Sequence, residues 1–321
     1  MNKRMRVLYH DNCFDGLASA AVFSRFYTTV IAPGAELEYE GLAHKAGQLI
    51  SEDLFGDDEN VIVDFKYSAS EKLTWWFDHH ESAFLSESDE AHFRRDTSGR
   101  KFYDPDSRSC TKFIATVAEE KFGFVAHDLR ELVYWADLID GAVFPSAQAA
   151  VELKEPAMRL MLEIETTRDR RLLHKIIGLL QRCSLEAVLN EPEVRKTFDA
   201  TYENHVKSID VMRQRAKCTR GVVEFDISDK NQEGYNKFIP YYLFPDSVYS
   251  VGVSRSPLRA KVSVGTNPWS SHKRTQNLAK LCEQYGGGGH AVVAAISFKP
   301  EDIESARTAA REIAQKLQSE W

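Results

Sequence analysis

Residues 73–80 read LTWWFDHH, a short apolar run dense in large rings that passes without a break into an aspartate and two histidines. Leu73–Phe77 has the length and aromatic content of a buried strand, which puts Asp78, His79 and His80 at its carboxyl end. Two earlier runs repeat the arrangement. Arg6–Tyr9 (RVLY) leads into His10 and Asp11, with Asp15 just beyond, and Val61–Val63 leads into Asp64. Between them Gly16–Tyr27 (GLASAAVFSRFY) is patterned as a helix. Strands alternating with helices predict an α/β domain with a parallel sheet covered on both faces. Ligands of such sheets bind beyond the carboxyl ends of the strands, so these polar groups should converge in space. One aspartate after a strand is commonly a turn or cap residue. Three strand ends behaving alike, with histidines attached, are not explained that way. Converging carboxylates repel one another unless a cation offsets them. Mixed Asp and His donors suit a divalent transition metal such as manganese, cobalt or zinc. The donors exceed what one ion with open positions needs, and two ions sharing a carboxylate would use them.

The 321 residues suggest two domains, and a 28% charged, 43% hydrophobic composition is that of a soluble globular chain. No apolar run is long enough to span a bilayer, and MNKRMRVLYH carries no signal-peptide pattern. Five scattered cysteines without CxxC spacing point to a reducing cytoplasm rather than a disulfide framework. A net charge of −7 argues against long duplex nucleic acid as partner, and none of these features implies a membrane partner. Helices are predicted over Ser109–Phe122 and His127–Ile139, and several more between Ala147 and Lys217. Strands at Val222–Ile227, Val248–Val253, Ala260–Val264 and Ala291–Phe298, with helices at Thr275–Tyr285 and Glu301–Ser319, form a second, smaller α/β pattern. The expected organisation is a metal-binding domain over 1–145, a helical connector over 146–220 and a smaller α/β domain over 221–321.

Gly286, Gly287, Gly288 and Gly289 precede His290 between a helix and a strand. Glycines let a backbone approach a phosphate closely, and His290 can donate to its oxygens. Arg255 and Arg259, in SRSPLRA, are candidate phosphate clamps. Ser107–Thr111 (SRSCT) reads as a helix N-cap, and Arg168, Arg170, Arg171, His174 and Lys175 as a solvated helix face.

HDNCFDGLASAA (10–21), VDF (63–65), DHH (78–80), ADLID (136–140) and GGGGH (286–290) together resemble the DHH phosphoesterase superfamily, in family order. That superfamily holds single-strand DNA exonucleases, nanoRNases and family II pyrophosphatases, and the GGGGH segment favours its nanoRNase/RecJ-like part. The resemblance implies a DHH domain, a helical linker, a DHH-associated substrate-binding domain and two divalent ions, commonly manganese. Carried over by position, His10 would bind the first metal, Asp15 and His79 the second, and Asp64 both. Asp137 would be the last ligand, with Asp140, one helical turn on, as the alternative. Asp78 would orient the ligand shell, and His80 would contact phosphate or stabilise the site. One departure from the family pattern is Cys13, where many members carry an aspartate two before Asp15; a branch with HxxCxDG shares it. Either Cys13 as a soft ligand or Asp11 as a hard one completes the first site.

The expected activity is metal-dependent hydrolysis of phosphodiester or phosphomonoester bonds in small nucleotides or short single-stranded oligonucleotides, in a cleft between the two domains. The alternatives are a pyrophosphatase or exopolyphosphatase, and a catalytically weak nucleotide-binding regulator. Natural substrate, cleavage polarity and oligomeric state are not legible in the sequence.

Overall fold

The computed structural model describes residues 3–43, 50–56, 58–230 and 234–319. The chain divides into two units, Met1–Phe144 with Lys154–Asp199, and Pro145–Leu153 with Ala200–Trp321. The first contains strands β1 (Arg4–His10), β2 (Glu36–Leu42), β3 (Glu59–Val63), β4 (Trp75–Asp78) and β5 (Lys101–Tyr103). They form one sheet in the order β2-β1-β3-β4-β5, every pair parallel. The two expected strands flanking β3 in this sheet are confirmed, and the expected run at Leu73 starts pairing at Trp75. β2 and β5 were not foreseen. ELEYEGL alternates acid with apolar residues, which suits an edge strand with one solvated side, and KFY is three residues long.

Period-two alternation sends the aromatic run to both faces. Trp75 and Phe77 join Val7, Tyr9, Val61 and Val63 in a core packed by helices α1 (Phe14–Phe26), α3 (Cys110–Phe122) and α4 (Arg130–Asp140). Trp76 joins Leu8 and Ile62 on the other face, under Phe55, Phe65, Tyr67 and the short helix α2 (Glu87–Arg94), which contributes Phe93. Burial on both sides is what parallel sheets require, and it explains why these strands read as continuous apolar runs. WWF is therefore core on both faces, and the residue after it is the first that can leave the core.

Past α5 (Ala147–Val151), which belongs to the second unit, helices α6 (Pro156–Thr166), α7 (Arg170–Leu180) and α8 (Leu185–Leu189) pack on the first unit through Leu160, Ile164, Leu173, Ile176, Ile177 and Val188. Helix α9 (Pro192–Arg215) runs from one unit into the other.

The second unit holds a six-stranded sheet of β6 (Lys217–Thr219), β7 (Val222–Asp226), β8 (Tyr249–Arg255), β9 (Ala260–Thr266), β10 (Gly288–His290) and β11 (Val293–Phe298), ordered β10-β11-β9-β8-β7-β6. Only β7 and β8 pair in parallel. A short helix α10 (Ile239–Leu243) precedes β8, α11 (Leu278–Glu283) precedes the glycine run, and α12 (Ile303–Gln318) closes the chain. The alternating Val251, Val253, Val262, Val264 and Ile296 face Ala306, Ala310, Ile313 and Leu317 of α12. No helix among the described residues is long and apolar enough to cross a membrane.

Candidate metal centre

The carboxyl ends of β1, β3 and β4 bring together His10, Cys13, Asp15, Asp64, His79 and His80, and α4 adds Asp140. Three groups of donor atoms lie mutually within 4.8 Å: His10, Cys13 and Asp64; Asp64, His79 and His80; Asp15, His79 and Asp140. Asp64 and His79 each belong to two of them.

Local folding sets each donor. His10 ends β1, and α1 starts four residues later, so the chain must turn within Asp11–Cys13. Gly16 makes the return possible, since a Cβ there would stand 2.1 Å from the His10 carbonyl oxygen. Asn12 adopts φ 52°, a left-handed conformation that Asn tolerates, and its amide donates to the Ile164 and Thr167 carbonyls (3.0 and 2.8 Å), fixing the turn to the end of α6. Asp64 leaves β3 at φ 57°, held by its N–H to the Phe77 carbonyl (2.9 Å). A non-glycine residue held in this region marks a conformation the surroundings impose.

Asp15 is buried, and its carboxylate accepts the backbone N–H groups of Cys110 (2.7 Å) and Thr111 (3.1 Å) at the start of α3. Helix N-termini favour negative charge, so α3 holds Asp15 as an anion pointing into the cluster. Ser109 caps that helix by accepting from the Lys112 N–H (3.2 Å). SRSCT is thus both the cap expected from the sequence and a wall of the cluster.

Histidine 79 carries the decisive geometry. Its Nδ1 lies 2.9 Å from the Ser107 carbonyl oxygen, which can only accept, so the ring proton sits on Nδ1. The lone pair of Nε2 then faces Asp64 Oδ1 at 3.4 Å, Asp140 Oδ2 at 3.4 Å and Asp15 Oδ2 at 3.9 Å. His79 Nε2 and Asp64 Oδ1 are both buried without a hydrogen bond. A lone pair aimed at three carboxylates is repulsive unless a cation stands among them. Burial and the charge of Asp64 push the Asp15 carboxyl well above its usual range and Asp140 up to about 6. Burial by itself would lower His79, but Asp64 and Asp15 raise it to about 10. Burial opposes ionisation of Asp64 too, yet the imidazoles of His10 and His79 hold it below the usual carboxylate range. Each direction expresses a deficit of positive charge in the pocket, and the donor set fits a divalent transition metal.

Asp78 is fully buried and accepts on Oδ1 from His80 Nδ1 (2.7 Å) and from the N–H groups of His79 (2.8 Å) and His80 (3.3 Å). It orients both histidines rather than joining a donor group. His10 Nδ1 lies 3.2 Å from Asp64 Oδ2.

Two sequence alternatives separate here. Asp11 lies against Gly41 of β2, its Cγ 2.6 Å from where a Cβ would stand, and outside the donor groups, whereas Cys13 is in one of them. Burial and the charges of Asp64 and Asp15 push the Cys13 thiol well up, so in the pocket alone it is protonated. Asp137 pairs with Arg108 Nη1 and Lys112 Nζ, each at 3.3 Å; the structure brings Asp140, not Asp137, to His79. The rotation with which α4 docks on α1 and α3 decides between two acids three residues apart.

The second unit's candidates also divide. Gly287 and Gly289 serve strand pairing: a Cβ would stand 2.4 Å from the Ala295 carbonyl at Gly287, and 2.5 Å from that of Val293 at Gly289, where φ is 145°. Gly286 has φ 75°, and a Cβ on Gly288 would meet open space. Gly288, Gly289 and His290 form β10, an exposed edge strand. The sheet register aligns His290 with Val293, Gly265 and Ser250, but Arg255 with Ala260 and Phe298. Five residues of strand, about 17 Å, separate these rows. Arg255, and Arg259 in the turn beside it, therefore lie at the opposite end of the sheet from His290.

No family model and no curated protein matches the sequence. Solved structures do match. The pGpG-specific phosphodiesterase PggH of Vibrio cholerae superposes with a TM-score of 0.70 at 17% identity, over 97% of this chain and 99% of its own. RecJ of Thermus thermophilus in complex with Mn2+ gives 0.58 at 12%, over 98% of this chain and 52% of RecJ. The DHH domain of a member of the s1p family of ribosomal proteins gives 0.50 at 14%, over 98% and 87%. Two α/β units in this order, with acids and histidines at the ends of a five-stranded parallel sheet, give the chain the fold of the DHH phosphoesterases.

Proposed function

We propose that the chain is a divalent-metal phosphohydrolase that cleaves phosphodiester or phosphomonoester bonds of small nucleotides or short single-stranded oligonucleotides. The observation that carries this reading is His79, whose Nε2 lone pair is turned by the Ser107 carbonyl toward Asp15, Asp64 and Asp140. Two ions fit the donor groups, one held by His10, Cys13 and Asp64, the other by Asp15, Asp64, His79 and Asp140. Asp64 is suited to serve both because its oxygens face different imidazoles, Oδ2 toward His10 and Oδ1 toward His79. Manganese is our choice of ion, supported by the Mn2+ complex of RecJ.

Bound cations there would supply Lewis acidity and positive charge for attack of water on phosphorus. The protein's own part is positional. The α3 N-terminus and Ser107 hold Asp15 and His79, and Asp78 holds His80 in one orientation. His80, one-third exposed at its side chain, is placed to donate to a phosphoryl oxygen. The first domain is assigned the chemistry. The last, with His290 and Gly286–Gly289, is assigned nucleotide binding, and a linear dinucleotide is supported as substrate by the pGpG specificity of PggH. Scattered free cysteines support a cytoplasmic setting.

The test is turnover of linear dinucleotides, longer RNA and DNA single strands, duplex and pyrophosphate, by chelator-treated protein with and without manganese. Manganese-dependent cleavage that is fastest on dinucleotides, and flat or falling with length, is expected. Activity indifferent to chelator, or confined to pyrophosphate, would overturn the reading.

A further inference from the structure

In the second unit Arg215 is paired with Asp229, and Arg307 with Asp226 and Glu304. The loop 267–277 (NPWSSHKRTQN) differs: His272, Lys273 and Arg274 are consecutive and exposed, and among the described residues Lys273 and Arg274 have no carboxylate partner. The loop is nevertheless firmly tied. Asn267 is buried; its amide donates to the Pro245 and Ser247 carbonyls (2.9 and 2.8 Å), and its oxygen accepts the Trp269 N–H (3.0 Å). The Trp269 ring packs on Phe238 at 5.3 Å, and the Tyr249 hydroxyl accepts the N–H groups of Thr275 and Gln276 (2.8 and 3.1 Å). Just outside the loop, Thr266 N–H donates to Val292 and Leu278 N–H to Ala291 (3.0 and 3.1 Å). Those acceptors are the two residues after His290, so the basic segment springs from the same end of the sheet as the glycine strand.

An ordered loop that displays adjacent uncompensated cations, in a chain of net charge −7, is matched to an anion. Arg and Lys side by side with an imidazole suit a phosphomonoester, which carries close to two charges and several acceptor oxygens. Beside them Val292 and Val293 are 51% and 43% exposed, an apolar surface that inorganic phosphate would not use and a nucleoside would.

We propose that Lys273 and Arg274, together with His290, form a site on the second unit for the terminal phosphomonoester of a nucleotide, the phosphate that is not hydrolysed. The proposal rests on the nucleotide reading above and names the group that would set preference within that class. It also moves the phosphate clamp from Arg255 and Arg259 to the other end of the sheet.

The test is titration of the full chain, in chelator, with a 5′-phosphorylated dinucleotide and with the same dinucleotide lacking the 5′-phosphate. Wild type should bind the phosphorylated form about tenfold tighter, the worth of one or two charge-assisted contacts. K273A/R274A should bind both forms alike. K299A/R311A removes the same charge elsewhere on the unit and should keep the discrimination. Undiminished discrimination in K273A/R274A, equal weakening in the control pair, or none in wild type would each overturn the site. Wild-type turnover with manganese restored separates the two readings. Cleavage without discrimination removes the loop site alone, and no cleavage of any nucleotide removes the reading beneath it.

Discussion

The two ends of interest in this molecule are opposites. In the first unit acids and imidazoles are drawn out of water, held by a strand end, a helix N-terminus or a backbone carbonyl, and left with excess negative charge. In the second, glycines, a histidine and a basic loop face solvent, with cations that no carboxylate takes up. The difference teaches a division of physical labour. Concentrating a cation calls for burial and fixed donors, because electrostatic interactions strengthen as water is excluded. Capturing an anionic ligand from solution calls for exposure, where a phosphate can still reach its partners.

The comparison breaks most readily at Asp64. Asp64→Asn keeps the shape but removes the anion shared by two donor groups. Turnover should fall about a thousandfold or more, since the lost charge stabilisation is several kcal/mol, and metal content should drop. Unchanged metal by elemental analysis, with near-normal turnover, would contradict the shared role.

Asp140 and Asp137 sharpen it. Asp140→Asn should lower manganese affinity and turnover on the order of ten- to a hundredfold. Asp137→Asn, which loses only the pairs with Arg108 and Lys112, should change turnover by little. The reverse ranking would restore the assignment the sequence favoured. Cys13→Asp is a related probe. If the thiol ligates, cobalt-loaded wild type shows a sulfur-to-cobalt charge-transfer band that the variant lacks, and the variant shifts preference toward manganese.

pH tests the charge deficit itself. His79 in the metal-free pocket is raised to about 10 from an ordinary value of 6.5. The folded protein therefore holds that proton more tightly than the unfolded chain. This stabilisation is complete below about 6.5 and is lost as pH rises toward 10. Asp140, raised to about 6, acts in the same direction at lower pH, since the folded state resists its ionisation. Chelator-treated protein should melt at progressively lower temperature from pH 6.5 to 10, and manganese should restore most at the alkaline end. A flat profile with no metal rescue would mean the pocket does not need the charge.

The smallest effect is expected in the glycine strand. Gly288→Val projects into open space, so stability should hold while the KM for a dinucleotide rises a few-fold. Gly289→Val should instead cost about 1–3 kcal/mol of stability, from strain and overlap with Val293. If both variants behave alike in melting and kinetics, the exposed face of β10 has no part in binding.

Much of the fold and the centre of the candidate site were legible in the sequence because their signals are local. An apolar run of strand length followed at once by an acid or a histidine can be read without knowing what the strand pairs with. In RVLY-HD, VIV-D and LTWWF-DHH it was. Helical periodicity marked α1, α3 and α4 similarly. β2 was missed because an edge strand with one wet side carries no continuous apolar run, and β5 because three residues carry almost no signal.

Sequence by itself determined that carboxylates and histidines would gather at the ends of a parallel sheet, because strand direction and core burial follow from short-range pattern. Only the tertiary structure decided which of them meet. Asp137 and Asp140 stand one turn apart on one helix, and the docking of α4 turned Asp140 toward His79. Asp11 and Cys13 share one tight turn, and the space beside Gly41 took Asp11. Ser107 reached the His79 ring, and the α3 N-terminus reached Asp15, across large gaps in sequence. The register of β8, β9 and β11 set Arg255 at the end of the sheet opposite His290 and brought the loop 267–277 to it instead. Helix rotation and strand register are fixed by the packing of the whole unit, so a pattern of residues read along one element cannot contain them.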